Sequence, residues 1–156
     1  MVQIPEIPYI ATTNEVAEAM LRLAGVTEHD VVYDLGCGDG RIVIMAAQEH
    51  HARGFGIDIN PDLIQRARAQ ADQAGVGGRV RFDAGDLFET DLHDATVVAL
   101  YLIPSMNLRL RSKLRKELKP GSRVVSHNWD MGDWAPDIQE EVDGQKLYLW
   151  TIRDRT

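Results

Sequence analysis

The residues best placed to do chemistry lie in one stretch, VVYDLGCGDGRIVI, from Val31 to Ile44. Its run of β-branched and aromatic residues stops at Asp34, after which Gly36, Gly38 and Gly40 alternate with Cys37 and Asp39. Beyond Arg41 comes Ile42-Val43-Ile44-Met45-Ala46-Ala47, an apolar segment too continuous for solvent. The pattern predicts a strand, a glycine loop and a buried helix. Glycines let a backbone approach a ligand closely, and the helix N-terminus behind them offers N–H groups without intrahelical partners. This is the arrangement of a nucleotide cradle. An ordinary tight turn that happens to bury Asp34 is the competing reading.

Charge and spacing narrow the ligand. A dinucleotide fingerprint runs G-x-G-x-x-G, whereas here the glycines fall as G-x-G-x-G and Arg41 occupies the place of the third. A carboxylate beside the loop repels a pyrophosphate and favours a cation. S-adenosylmethionine carries two positive charges, a sulfonium and an ammonium. Two further acids follow at strand ends. Asp58 closes GFGID, 18 residues after Gly40 and next to Ile59, where it is positioned to accept hydrogen bonds from both ribose hydroxyls, a role equally open to it in a dinucleotide fold. Asp86 stands beyond RVRF, placed to accept from an adenine amino group, with Leu87 or Phe88 packing on the ring. Later, His127 to Asp137 (HNWDMGDWAPD) combines two tryptophans with acids, a wall suited to a cationic or amine substrate.

The elements that must position these residues can be read in order. Residues 1 to 11 hold Pro5 and Pro8 and read as an extended arm. Thr12 and Glu15 match a capping box, and Val16, Met20, Leu23 and Ala24 recur at helical spacing until Gly25. A leading helix of this kind would bring Tyr9 and Thr12 near the ligand edge of the sheet, although an arm that merely packs explains the same residues. Asn60-Pro61-Asp62 is a helix start, and Leu63, Ile64, Ala67 and Ala71 form its buried stripe. Thr96 to Leu102 reads as a strand covered on both faces. A helix from Met106 to Leu118 follows, with Leu108, Leu114 and Leu118 inward. It carries the one basic concentration in the chain, for which a solvated face is sufficient explanation. Arg123 to Ser126 is a fifth strand, and 138–142 and 146–152 form a hairpin around Asp143-Gly144. The fold class is therefore α/β: a Rossmann-like doubly wound sheet of five parallel strands plus a C-terminal antiparallel hairpin, with helices on both faces.

Composition sets the outer bounds. At 156 residues the chain is expected to be one domain, burying roughly 70 per cent of the surface its unfolded form exposes. A single cysteine suits a reducing, cytoplasmic setting. The five histidines show no metal-ligand spacing, so no metal site is expected. A net charge of -7 argues against a broad nucleic-acid surface and favours basic partners. Neither a membrane span nor a signal peptide is read from the sequence.

D-x-G-x-G-x-G resembles the first motif of seven-strand methyltransferases that use S-adenosylmethionine. Together with PYIATTNEV, GIDINPDLI, DLFETDL, YLIPSMNLRL and KLRKELKPGSRVVSHNW, it resembles more specifically the small protein-lysine methyltransferases whose eukaryotic members act on the c-ring protein of mitochondrial ATP synthase and on the adenine nucleotide translocase. The likeness runs from about residue 8 to residue 130. It implies that Asp34, Gly36, Gly38, Asp58 and Asp86 hold the cofactor, with Tyr9 and Thr12 near its methionine part; Cys37, Gly40, Ile59 and Leu87 complete the expected contacts. It also implies a protein lysine as acceptor. The eukaryotic enzymes carry a membrane-associated segment before the arm, and this chain begins almost at the arm, as expected of a soluble bacterial-type relative. Methyl transfer needs aim more than a base, so Tyr101, His127, Asn128 and Trp129 are the expected catalytic surroundings. Methylation of RNA or a small molecule, or a binding module without catalysis, stays open at this point.

Overall fold

Alternating apolar runs and amphipathic segments form seven strands and four α-helices in a computed structural model that describes residues 11–153. In chain order these are α1 (Asn14–Leu23), β1 (Val31–Leu35), α2 (Arg41–His50), β2 (Arg53–Asp58), α3 (Pro61–Gln73), β3 (Val80–Ala84), β4 (Val97–Leu100), α4 (Pro104–Glu117), β5 (Arg123–His127), β6 (Ile138–Val142) and β7 (Gln145–Thr151). The sheet order is β3-β2-β1-β4-β5-β7-β6, with β1 to β5 parallel and β7 antiparallel to both its neighbours. The expected parallel strands and terminal hairpin are both present. β7 is the hairpin strand that docks on β5, leaving β6 as an exposed edge whose Glu140 and Glu141 discourage pairing with another chain.

Side-chain alternation along each strand decides what reaches which face. In β4, Val97 and Ala99 pack toward α1 and α2, while Val98 and Leu100 pack toward α4. The same alternation sends Val125 of β5 and Leu147 and Leu149 of β7 to the α1 side, and Val124, Tyr148 and Trp150 to the α4 side. Continued to the C-terminal strand ends, it puts Asp34, Asp58, Tyr101 and His127 on the face shared by α1, α2 and α3. One edge of one face therefore gathers the candidate residues.

The helices differ from expectation in two places. The N-cap of α1 is Thr13, whose hydroxyl accepts from the Val16 amide at 3.3 Å. Counted from Thr13 the third residue is Val16, so the reciprocal glutamate contact of a capping box is absent and Thr12 is left for another partner. In α4, Pro104 occupies the first turn, two residues before the expected start, and the buried stripe is Asn107, Leu110 and Leu114. Leu108 lies roughly 100° from Asn107 around the helix and is 45% exposed, not inward as the sequence suggested.

At the N-terminal edge of the sheet a polar network fastens three elements. Arg123 donates to the Ala24 carbonyl at 2.7 Å and pairs with Asp30, which also accepts from the Thr27 amide and Thr96 hydroxyl, both at 2.8 Å. Burial pushes the Asp30 pKa up, but the Thr27 and Thr96 bonds and Arg123 outweigh it and hold the carboxyl below its ordinary value. A lowered native pKa contributes stability above the unfolded pKa, and that contribution is lost as pH falls through the native value. Asp30→Asn is expected to cost about 2 to 3 kcal/mol at pH 7 by denaturant midpoint, with the gap from wild type closing as pH falls below about 4. A gap independent of pH would remove the charge from this account.

Candidate active site

The glycine loop between β1 and α2 turns through left-handed conformations at Gly36, Gly38 and Gly40. Its first amides are already used: those of Gly36 and Cys37 donate to the Ile57 carbonyl at 2.8 and 2.9 Å. The Gly38 amide donates to Asp58 Oδ2 at 2.9 Å, while Asp58 Oδ1 accepts from the Asn60 amide at 3.0 Å. Asp58 thus pins the loop, and each of its oxygens retains acceptor capacity for a ribose hydroxyl. The spacing puzzle at Arg41 resolves here. A Cβ on Gly40 would stand 2.7 Å from Phe82 Cζ and 2.8 Å from Ala67 Cβ, so Gly40 already supplies the close helix-to-sheet approach that the third fingerprint glycine supplies elsewhere. Arg41 does something different. It binds Asp39 at 2.9 Å and the Thr12 carbonyl at 3.0 Å, joining the segment before α1 to the loop.

Asp34 is 4% exposed, and among the described residues its carboxylate receives no hydrogen bond. Burial, then Asp58 and Asp39, push its pKa up to about 8. A buried carboxylate without a donor is costly, and a second and third acid nearby raise the cost. Binding a cation removes that penalty, while binding a pyrophosphate adds to it. This donor set fits the ammonium and sulfonium of S-adenosylmethionine.

The remaining cofactor candidates divide. The Cys37 thiol packs inward with Val43, Ile64 and Phe82, and burial raises its pKa further, so only its backbone belongs to the loop. Ile59 is 62% exposed beside Asp58, an apolar surface that no described protein group covers. Asp86 is exposed and accepts from the Phe88 amide at 2.8 Å, capping a short turn at Leu87–Glu89. Leu87 turns into the core, and Phe88 is half-buried with the Arg109 guanidinium 3.8 Å above its ring. Tyr9 lies outside the described residues.

Across the cleft, the Tyr101 ring stacks on His127 at 3.8 Å. His127 Nε2 lies 2.8 Å from Gln145 Oε1, which also accepts from Asn128 Nδ2 at 2.9 Å, and Nδ1 lies 3.1 Å from the Thr12 hydroxyl. A carbonyl oxygen accepts only, so we assign the proton to Nε2, leaving Nδ1 to accept from Thr12. Burial lowers the His127 pKa and the Gln145 bond opposes it, with burial the larger effect. The imidazole is neutral near pH 7. Asn128 adopts φ 68 and its Oδ1 accepts from the Lys146 amide at 3.0 Å, so it braces the hairpin. Trp129 stands apart at the rim, 42% exposed. Its carbonyl accepts from Ser126 Oγ at 2.6 Å and from Asn107 Nδ2 at 3.2 Å, and the same Nδ2 reaches the Asp130 carbonyl at 3.2 Å. Asp130 turns its carboxylate to the Gly132 amide.

Residues 34 to 138 match the family model described as the ANTKMT methyltransferase domain. The chain belongs to this methyltransferase family. It is similar to a protein-lysine N-methyltransferase of Saccharolobus islandicus (strain REY15A), 42% identical over 97% of this chain and 98% of that protein. It is 36% identical to the adenine nucleotide translocase lysine N-methyltransferase of Mus musculus over 84% of this chain, spanning 57% of that longer protein. A crystal structure described as an RNA methyltransferase from Salinibacter ruber, in complex with S-adenosyl-L-homocysteine, is 54% identical with a TM-score of 0.92, covering 94% of this chain and 96% of that one. The protein is an S-adenosylmethionine-dependent methyltransferase.

In this methyltransferase two functional neighbours escape a reading of the sequence, Gln145 and Asn107. Asn107 has a visible signal, since it interrupts an otherwise leucine stripe in α4 and is wholly buried. Gln145 has none until β7 is set beside β5. Asp91, His93 and Glu117 offer ligand atoms within 4.8 Å of one another, but Glu117 is held by Lys113 and the Leu92 amide, and His93 by Asp91. No described helix is long and apolar enough to cross a membrane.

Asp34 yields a test. With its pKa near 8 in the free protein, it is protonated at pH 7 and must ionise to face a cation. Binding of S-adenosylhomocysteine is expected to release a proton, seen as an enthalpy that depends on the buffer, and affinity should climb by up to about tenfold per pH unit toward pH 8. Asp34→Asn should abolish both effects. Proton-neutral binding by the wild type would refute the assignment.

Proposed function

We propose that the protein methylates the ε-amino group of a lysine in a protein substrate, in a reducing, cytoplasmic setting. The observation that carries this reading is the uncharged wall of Tyr101 stacked on a neutral His127, set on the same edge of the same face as the acids Asp58 and Asp34, the latter ionising only when a cation binds. Acids favour the approach of an ammonium, and a neutral imidazole does not oppose it. The near full-length likeness to a protein-lysine N-methyltransferase supports the same acceptor. The single buried cysteine supports the compartment.

When bound, S-adenosylmethionine supplies a methyl carbon already activated by its sulfonium. In this reading Asp34, the backbone of Gly36 to Gly40, Asp58, Ile59, Asp86 and Thr12 hold it. Both nitrogens of His127 are engaged, by Thr12 and Gln145, so the ring serves as a fixed surface and not as a base. The lysine gives its proton to water as it enters. Tyr101 and Trp129 then keep water from the amine and fix its line of attack, and positioning of that kind supplies most of the acceleration. Methylation of RNA is a second reading, favoured by the name of the 54%-identical structure. Against it, the acids at the cleft repel phosphates.

The deciding experiment incubates the protein with methyl-labelled S-adenosylmethionine and a cell lysate, then locates the label. Incorporation into lysine of a protein is expected; incorporation into RNA or small molecules alone would overturn the proposal. Once an acceptor is in hand, Trp129→Ala should lower kcat about 10- to 100-fold with cofactor affinity nearly unchanged. Activity should rise from neutral pH toward the lysine pKa.

A further inference from the structure

We propose that the outer face of α4 is a docking groove for acidic residues flanking the acceptor lysine, an inference that rests on the protein-lysine reading. In a chain of net charge -7, the groove is a local reversal of sign. Leu108, Arg111, Ser112, Arg115, Lys116 and Asp133 line an open depression of about 620 Å³. A second depression is walled by Trp134 and extends to Arg153. The two depressions have Arg115 in common.

These cations are organised beyond what a merely solvated face requires. Arg115 lies over the Trp134 ring at 4.5 Å, and Arg111 is steadied by the Met131 carbonyl at 3.0 Å and by Asp133. Lys113, by contrast, is turned to Glu117 at 2.7 Å and takes no part. Asp133 is 92% exposed on its side chain, so a carboxylate from a partner can replace it on Arg111 without burying it. Leu108 adds an exposed apolar contact on the same wall, touching the loop where a Cβ on Gly132 would come within 3.0 Å.

Continuity with the site sets a register. The loop from Trp129 to Trp134 walls the cleft at one end and lies against Arg111 and Arg115 at the other, and Asn107 ties its start to α4. Along the helix Arg111 and Arg115 stand roughly 6 and 12 Å beyond Asn107. An extended peptide covers those distances in about two and four residues. These counts start at Asn107, which is buried short of the acceptor, so acidic residues at least about two to four positions from the lysine, all on one side of it, match the groove. A run of phosphates does not, because binding it requires a longer basic surface than this short one, which Asp133 and Asp137 interrupt.

The test uses the full chain and synthetic peptides with a single lysine, bearing Asp or Glu from two to eight positions away on one side or the other, or neutral residues there. Acidic flanks on one side should lower KM roughly threefold to tenfold at low salt, with kcat unchanged and the preference lost at high salt. Lys116→Glu, at an exposed position, and Arg115→Gln should each erode the preference while leaving S-adenosylhomocysteine affinity intact, and Lys116→Glu should improve peptides with basic flanks. Equal KM for all flanks, or a preference untouched by both variants, would overturn the groove while leaving lysine methylation standing. Stronger competition by an RNA oligonucleotide than by polyglutamate would overturn it in favour of phosphate. Label reaching no protein or peptide would fell the underlying reading, and this one with it.

Discussion

A carboxylate buried at the end of β1 with no hydrogen-bond donor among the described residues is the constraint on which the rest of this structure depends. Asp34 is tolerable in the free protein because it can hold a proton, its pKa standing near 8. It cannot be moved outward, since β1 is the central strand paired on both sides, Asp34 lying opposite Gly56 and Ala99. Nor can the loop relax around it. Gly56 has no space for a Cβ, which would meet Phe82 at 2.7 Å and Cys37 Sγ at 2.8 Å. The fold thus holds an acid that either keeps its proton or pairs with a cation.

The two halves of the cleft are built by different means. The half that would hold the cofactor is local in sequence: strand end, loop and helix start follow one another, and Asp58 reaches back 20 residues to the Gly38 amide. The opposite half is assembled from segments far apart, Thr12 meeting His127 across 115 residues and Gln145 meeting it across 18. Strand order makes the second half possible. Because β7 runs antiparallel against β5, its start lies at the end of β5, with Leu147 opposite His127, and Gln145, two residues before Leu147, reaches the imidazole of His127. An all-parallel continuation would have brought the far end of a strand there instead.

That difference explains how much can be read from the chain. The glycine loop, the acids ending successive strands, the parallel sheet and the Asp-Gly hairpin all follow from local pattern, because hydrophobic period, turn residues and caps act over a few positions. Local pattern puts the capping residue of α1 one position early, since Thr12 and Thr13 carry the same chemistry and only the tertiary contact to His127 separates them. It turns Leu108 inward for a related reason. In α4 the buried stripe begins with a polar residue, Asn107, whose partners are carbonyls of a loop some 20 residues away. Cys37 lies within the cradle, but its side chain belongs to the core; spacing along a loop does not say which way a short side chain turns.

The charge pattern around the cleft then has an internal logic. Acids that attract a cationic side chain also stabilise its protonated form, which cannot attack a methyl carbon. A cleft lined wholly by carboxylates would bind lysine and stall. Here the wall is the Tyr101–His127 stack, its imidazole kept neutral by burial, and the loop carboxylate Asp130 is turned to the Gly132 amide. Attraction is thereby concentrated on the cofactor side, where Asp58 lies and Asp34 ionises on meeting a cation, and the surface over which the amine must lose its water is aromatic and uncharged. The separation of those two duties onto β1–β2 on one side and β4–β5–β7 on the other is a consequence of strand order and side-chain alternation. It needs no residue outside its ordinary chemistry.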